Sequence, residues 1–155
     1  MLELDNALEK CNGSSPGIDN INYEMIKNIP FWAKSKLLKF YNEIFCSHDP
    51  HSWREALVIP LPKPGKSISE ISAYRPISLT CCLSKILQRI VNNRLTWQLE
   101  TVNRFSYAQN GFRKYRSTAD NHAILETDIN EAFANKKHLI AIFLVLKKAY
   151  DSTWT

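Results

Sequence analysis

The sequence is short of the residues that loosen or staple a chain. It has only four Gly and seven Pro, and they sit singly or in turns. That excludes a Gly- or Pro-rich disordered or fibrous protein. Its four cysteines, Cys11, Cys46, Cys81 and Cys82, form no CxxC pair and have no His at ligand spacing. This argues against a zinc site. They read as reduced, mostly buried thiols of an intracellular protein, with cytoplasm and nucleus both open. No apolar run approaches the roughly 20 residues of a membrane span. The longest, Leu139 to Leu146, has the length of a strand. Nothing at the N-terminus resembles a signal peptide, because Glu3, Asp5 and Glu9 stand there. No membrane partner is expected. Repeats and low-complexity tracts are absent, and no linker divides the chain.

What is there is an ordinary globular composition, 45% hydrophobic and 23% charged over 155 residues. That is enough for one domain with one core. The net charge of +5 is unevenly placed. From Lys63 to Arg116 there are ten Lys or Arg and two acids, Glu70 and Glu100, whereas the rest of the chain is slightly acidic. Such a segment fits a polyanion-facing surface, and by charge alone fits solvated helix faces and loops equally well.

Apolar spacing predicts a helix over Leu2 to Cys11, with Leu4, Ala7 and Leu8 on one face. A turn cluster, Asn12 to Gly17, breaks it. Asn22 suits the N-cap of a short helix that Pro30 stops. Leu37, Leu38, Tyr41, Ile44 and Phe45 recur at helical spacing between Phe31 and Cys46. Two short β-rich segments, one containing Leu57 to Leu61 and one from Tyr74 to Ser78, predict a hairpin around a long basic loop. Cys81 to Glu100 is the clearest helix, with an apolar stripe of Leu83, Ile86, Leu87, Ile90, Val91, Leu95 and Leu99. A loop follows from Phe105 to Ser117, then a helix over Thr118 to Asn135 capped by Ser117. His138 to Leu146 reads as a strand buried on both faces. This order is α+β, not doubly wound.

Five segments resemble the reverse transcriptases of non-LTR (LINE-type) retrotransposons, the jockey and I-like elements above all. They are Ser14-Ser15-Pro16-Gly17-Ile18-Asp19, Val58 to Lys66, Tyr74-Arg75-Pro76-Ile77-Ser78-Leu79, Gln109-Asn110-Gly111-Phe112-Arg113 with Arg116-Ser117-Thr118, and Phe143 to Trp154. Each is weak alone. Their order and spacing carry the resemblance, which covers nearly the whole chain. It implies the fingers and early palm of a right-hand polymerase, with residues 1–135 as fingers-like helices and basic hairpin and 136–155 as the first palm strand and the turn after it.

The resemblance also implies roles. Lys63 and Arg75 match positions that face the triphosphate of an incoming dNTP, with Lys66 as a third. Lys serves as a point charge and Arg as a fork matched to phosphate oxygens. Tyr150 matches the aromatic that packs under the nucleotide sugar, and Ala149 leaves room beside it. Arg113 and Arg116 lie in the region near the template, so RNA and RNA–DNA hybrid are the implied partners. Without the family, these residues also fit a solvated hairpin, a surface loop with Phe112 plugged into the core, and a core tyrosine. Lys85, Arg89 and Arg94 on the long helix are further cations with either a template-facing or a solvated reading. The oligomeric state is open.

The family holds Mg2+ with three carboxylates, and Val145 stands where the first Asp belongs. Valine offers no lone pair to a cation. Asp151, the nearest acid, matches a different position of the motif. One base change converts an Asp codon to a Val codon, as in the decay of an unselected copy. The chain also stops at Thr155, before the family's later Asp-Asp hairpin, primer grip and thumb, and Met1 resembles an internal or artificial start. The expectation is therefore a truncated polymerase fragment, inactive alone and binding no Mg2+ tightly. The alternatives are a non-catalytic nucleic-acid-binding remnant and a pseudogene product. Leu139 to Leu146, without neighbouring strands, would be an exposed apolar edge and would make the isolated chain poorly soluble.

Overall fold

A computed structural model describes residues 1–13, 15–65 and 67–146. The chain divides into two units, Met1–Val102 and Asn103–Thr155, taken here one at a time. The described residues hold five α-helices and one two-stranded antiparallel sheet, an α+β protein.

In the first unit α1 spans Leu2–Glu9 and buries Leu4, Ala7 and Leu8, the face its apolar spacing marks. Helix α2, Tyr23–Lys27, starts where Asn22 accepts the Met25 backbone N–H at 2.9 Å. Helix α3, Phe31–Cys46, begins at Pro30, whose missing N–H costs nothing there. Helix α4, Cys82–Thr101, crosses α1. Between α3 and α4 lie a 3-10 turn at His51–Arg54 and the strands β1, Leu57–Pro62, and β2, Tyr74–Leu79. The core joins Leu4, Leu8, Tyr23, Ile26, Tyr41, Ile86 and Ile90. Tyr41 is its polar pin: the hydroxyl donates to the Leu83 carbonyl at 2.8 Å, and burial pushes the phenol above its ordinary pKa.

The apolar stripe of α4 is only half used. Ile86, Leu87 and Ile90 are buried, whereas Val91 and Leu95 are exposed. Leu87, Val91 and Leu95 line a cavity of about 410 Å³ together with Trp53. Phe45, expected inside, is exposed, with the Arg94 guanidinium 5.3 Å from its ring centre.

Gly17 explains the turn cluster that contains it. A Cβ there would sit 2.8 Å from both the Cys81 nitrogen and the Thr80 carbonyl carbon. The chain thus passes directly over the entry to α4, an approach that only glycine allows. Of the four cysteines, all free thiols, Cys11, Cys81 and Cys82 are buried and Cys46 is exposed.

In the second unit α5 spans Thr118–Ala134. Ser117 caps it in a capping box: its Oγ accepts the Ala119 N–H, and Asp120 accepts the Ser117 N–H at 2.6 Å. That bond, with a second from the Ser117 hydroxyl, holds the Asp120 carboxyl below its ordinary pKa. The helix ends with Lys136 in the left-handed region, its N–H bonded to the Phe133 carbonyl and the Lys137 N–H to that of Ala132.

The expected strand at His138 to Leu146 is not formed. The segment has no regular structure, and all of its residues are exposed. A strand is held by its ladder, and no described segment pairs with this one. β-propensity alone does not make a strand.

Candidate nucleic-acid interface

The hairpin positions its cations through register. Leu61 pairs with Arg75 and Pro62 with Tyr74, and the Lys63 N–H donates to the Ala73 carbonyl at 2.7 Å. Side chains alternate along a strand, so Leu61, Arg75 and Lys63 belong to one face, with Lys63 diagonal to Arg75. The same face carries Leu57, Ile59, Ile77 and Leu79. Arg75 is exposed and makes no side-chain hydrogen bond among the described residues. Lys63 is half-buried, and its ammonium donates to the Ser72 carbonyl at 2.7 Å. That bond holds the ammonium against the base of its own loop. The tip is further tied by the Tyr74 hydroxyl on the Ile68 carbonyl and by Gly65 at a φ of 71°. Two cations at this diagonal can grip one polyphosphate. Lys66, Ala149 and Tyr150 lie outside the described residues.

The loop from Phe105 to Ser117 uses its two candidate arginines differently. Arg113 folds inward: its guanidinium donates to the Ser106 and Gln109 carbonyls at 3.0 and 3.2 Å and lies 5.0 Å from the Phe105 ring centre. Arg116 is exposed, and its side chain has no hydrogen bond among the described residues. Phe112 is fully exposed, not plugged into a core, and Tyr115 is 90% exposed. The loop is anchored by Asn110, 3% exposed, whose amide donates to Asn121 Oδ1 at 2.6 Å while its own Oδ1 has no partner among the described residues. Asn110 stands in one of the motifs that carry the resemblance, but its burial has no signal in the sequence. No periodicity marks a polar residue as buried.

Two of the three cations of α4 tie it to the first helix. Arg94 makes a bidentate pair with Glu3, and Arg89 donates to the Lys10 carbonyl at 3.0 Å. Lys27 takes the next carbonyl, that of Cys11, at 2.7 Å. The Lys10 carbonyl belongs to the C-cap of α1 and that of Cys11 lies just past it, where cations suit the helix end. Lys34 adds a contact to Asp5 at 3.5 Å.

The described residues do not fit a divalent ion. Val145 has no donor atom, and among the described residues no group of three or more His, Cys, Asp or Glu is placed to hold one. Also among the described residues, no helix is long and apolar enough to cross a membrane.

With this geometry in view, residues 61–155 match the reverse transcriptase (RNA-dependent DNA polymerase) family. The match takes in more than half of the chain, and the chain belongs to that family, whose members generally use Mg2+ and an RNA template. Its relatives place it among non-LTR retrotransposon proteins. It is 35% identical over 141 residues to a probable RNA-directed DNA polymerase from transposon BS of Drosophila melanogaster, covering 90% of this chain and 16% of that protein. It is 30% identical over 142 residues to the RNA-directed DNA polymerase from mobile element jockey of the same fly, covering 90% and 15%. The probable polymerase from transposon X-element, also of Drosophila melanogaster, is 29% identical over 149 residues, covering 95% and 16%. The chain thus spans about a sixth of the length of these relatives.

Proposed function

We propose that the chain supplies the fingers and the opening of the palm of an RNA-directed DNA polymerase from a non-LTR retrotransposon, and that it does not polymerise by itself. The observation that carries the first half is the hairpin register, which puts Lys63 and Arg75 on one face in the segment where the family match begins. In this reading Lys63 and Arg75 hold the triphosphate of a dNTP, with Lys66 as a third cation. Tyr150 packs under the sugar with Ala149 beside it, and Arg113 and Arg116 serve the template side. Residues 1–135 are the fingers and 136–155 the start of the palm.

The second half rests on Val145. Metal-based charge stabilisation supplies several kcal/mol in such reactions, and a valine at the metal position removes it at its source. Primer extension on an RNA template with Mg2+ is expected to give no product. Incorporation by the purified chain would overturn the inactive reading. Nucleotide gripping is checked separately, by titrating a fluorescent dNTP into the chain and into Lys63→Ala and Arg75→Ala. Each variant is expected to bind about tenfold more weakly, as for the loss of a charge-assisted phosphate contact.

The basic run from Lys63 to Arg116 favours a second reading, a nucleic-acid-binding module without catalysis. Filter binding of an RNA–DNA hybrid over a salt series tests it. A steep fall with salt supports phosphate contacts, and no binding at low salt removes the reading.

A further inference from the structure

Phe112 and Tyr115 are hard to account for by folding. Both hold left-handed backbone, at φ of 58° and 62°, where a bulky residue is an outlier. Such cost is normally offset by burial, yet one ring is fully exposed and the other nearly so. Neither backbone preference nor packing within residues 103–146 explains aromatic residues at these two positions. Strained, exposed side chains of this kind gather where a ligand is met.

The surroundings say which ligand. From Arg104 to Ser117 the chain has four cations and no acid. Arg113 braces the loop from inside, and the Lys114 ammonium sits 4.9 Å from the Tyr115 ring centre. Arg116 stays open to solvent, and the one acid that acts on it, Asp120, is already bonded to Ser117 in the helix cap. Cations without acids attract a polyanion more than a protein surface of mixed charge. Exposed aromatic faces add what a duplex cannot use, because paired bases already stack on one another. Unpaired bases can stack on such rings whatever their sequence.

We infer that Phe112 and Tyr115 form a stacking platform for unpaired nucleotides, with Lys114 and Arg116 on the phosphates. This deepens the template-side reading of the loop and rests on it. Left-handed backbone turns the two rings out of the loop, and the Asn110–Asn121 pair fixes the loop to α5.

The test is fluorescence anisotropy of the full chain with a short labelled single-stranded RNA, the same sequence as DNA, and an RNA duplex. The variants are Phe112→Leu, Tyr115→Leu and Arg116→Gln, with circular dichroism to show that each folds as the parent does. The single strand is expected to bind more tightly than the duplex. Each leucine should weaken single-strand binding about tenfold with the salt slope unchanged. Arg116→Gln should lower the slope by about 0.7, one phosphate contact on a single strand. Leucine variants that bind like the parent, beside a lowered slope for Arg116→Gln, overturn stacking and leave the template-side reading standing. If neither class of variant changes binding, both fall. Base faces are common to RNA and DNA, so the tighter of the two strands identifies the one held, and equal affinity supports a platform blind to the sugar.

Discussion

Gly17 is the position where one atom decides most. Its hydrogen faces the backbone of Thr80 and Cys81, and a methyl group would meet two main-chain atoms at 2.8 Å. Main chain at the start of a packed helix does not yield as the tip of a flexible side chain would. Gly17→Ala is therefore expected to destabilise the chain by about 1–3 kcal/mol, the usual range for overpacking. The measurement is the urea midpoint, and a midpoint equal to the parent's would show that the main chain at Thr80–Cys81 gives way to a methyl group. The residue itself was legible in the sequence, as part of a turn cluster and of a family motif. Its reason was not, because a contact between residues 17 and 80–81 has no local signature. Arg113 and Arg116 teach the same lesson from the other side. Both are loop cations in the sequence, yet one is spent on the Ser106 and Gln109 carbonyls and the other is open.

At the scale of elements, helix positions and caps were the readable part. Asn22 and Ser117 cap as their side chains suggest, because N-capping is a local bond between residues two or three apart. The roles of whole helix faces were less readable. Lys85, Arg89 and Arg94 could have been a template-facing row, but Arg89 and Arg94 instead clasp α1 from across α4. The Arg94 guanidinium hydrogen-bonds Glu3 and holds its carboxyl below the ordinary carboxylate pKa. The sign follows. A carboxyl depressed in the folded state adds stability that is complete above its unfolded pKa and is lost as pH falls through the folded value. Both partners are about half exposed, so the contribution is below about 1 kcal/mol. Arg94→Met, which keeps an apolar side chain over Phe45, should be less stable than the parent at pH 7. The gap should close as pH falls through the depressed pKa of Glu3 and its carboxyl is protonated. Urea midpoints across that range check this, and a gap independent of pH would assign the loss to packing on Phe45 rather than to the ion pair.

For the whole molecule, the question is what the apolar residues of Leu139–Leu146 do. Read locally, they are a strand for the middle of a sheet. A strand is a property of its neighbours, and no described segment offers a ladder, so the run is exposed with Ile140 at 86% and Val145 at 92%. The family expectation for Val145 and the observed exposure concern different things. One says what the position lacks for catalysis, the other what the chain lacks for burial. Eight apolar residues without Pro, Gly or charge, rich in Ile, Leu, Val and Phe, have the composition of segments that pair with copies of themselves. Backbone groups along the run that no ladder pairs add to that tendency. The isolated chain should therefore associate as its concentration rises. A charge in the middle of the run should oppose pairing without touching the core of residues 1–102, because Ile142 is exposed and lies outside that unit. Ile142→Lys is expected to leave the helical circular dichroism unchanged and to shift sedimentation toward monomer. If the parent is already monodisperse at high concentration, or if Ile142→Lys associates just as readily, the run is not the adhesive segment. The exposed apolar residues of the hairpin face, Leu57, Ile59 and Ile77, would then be the next surface to charge.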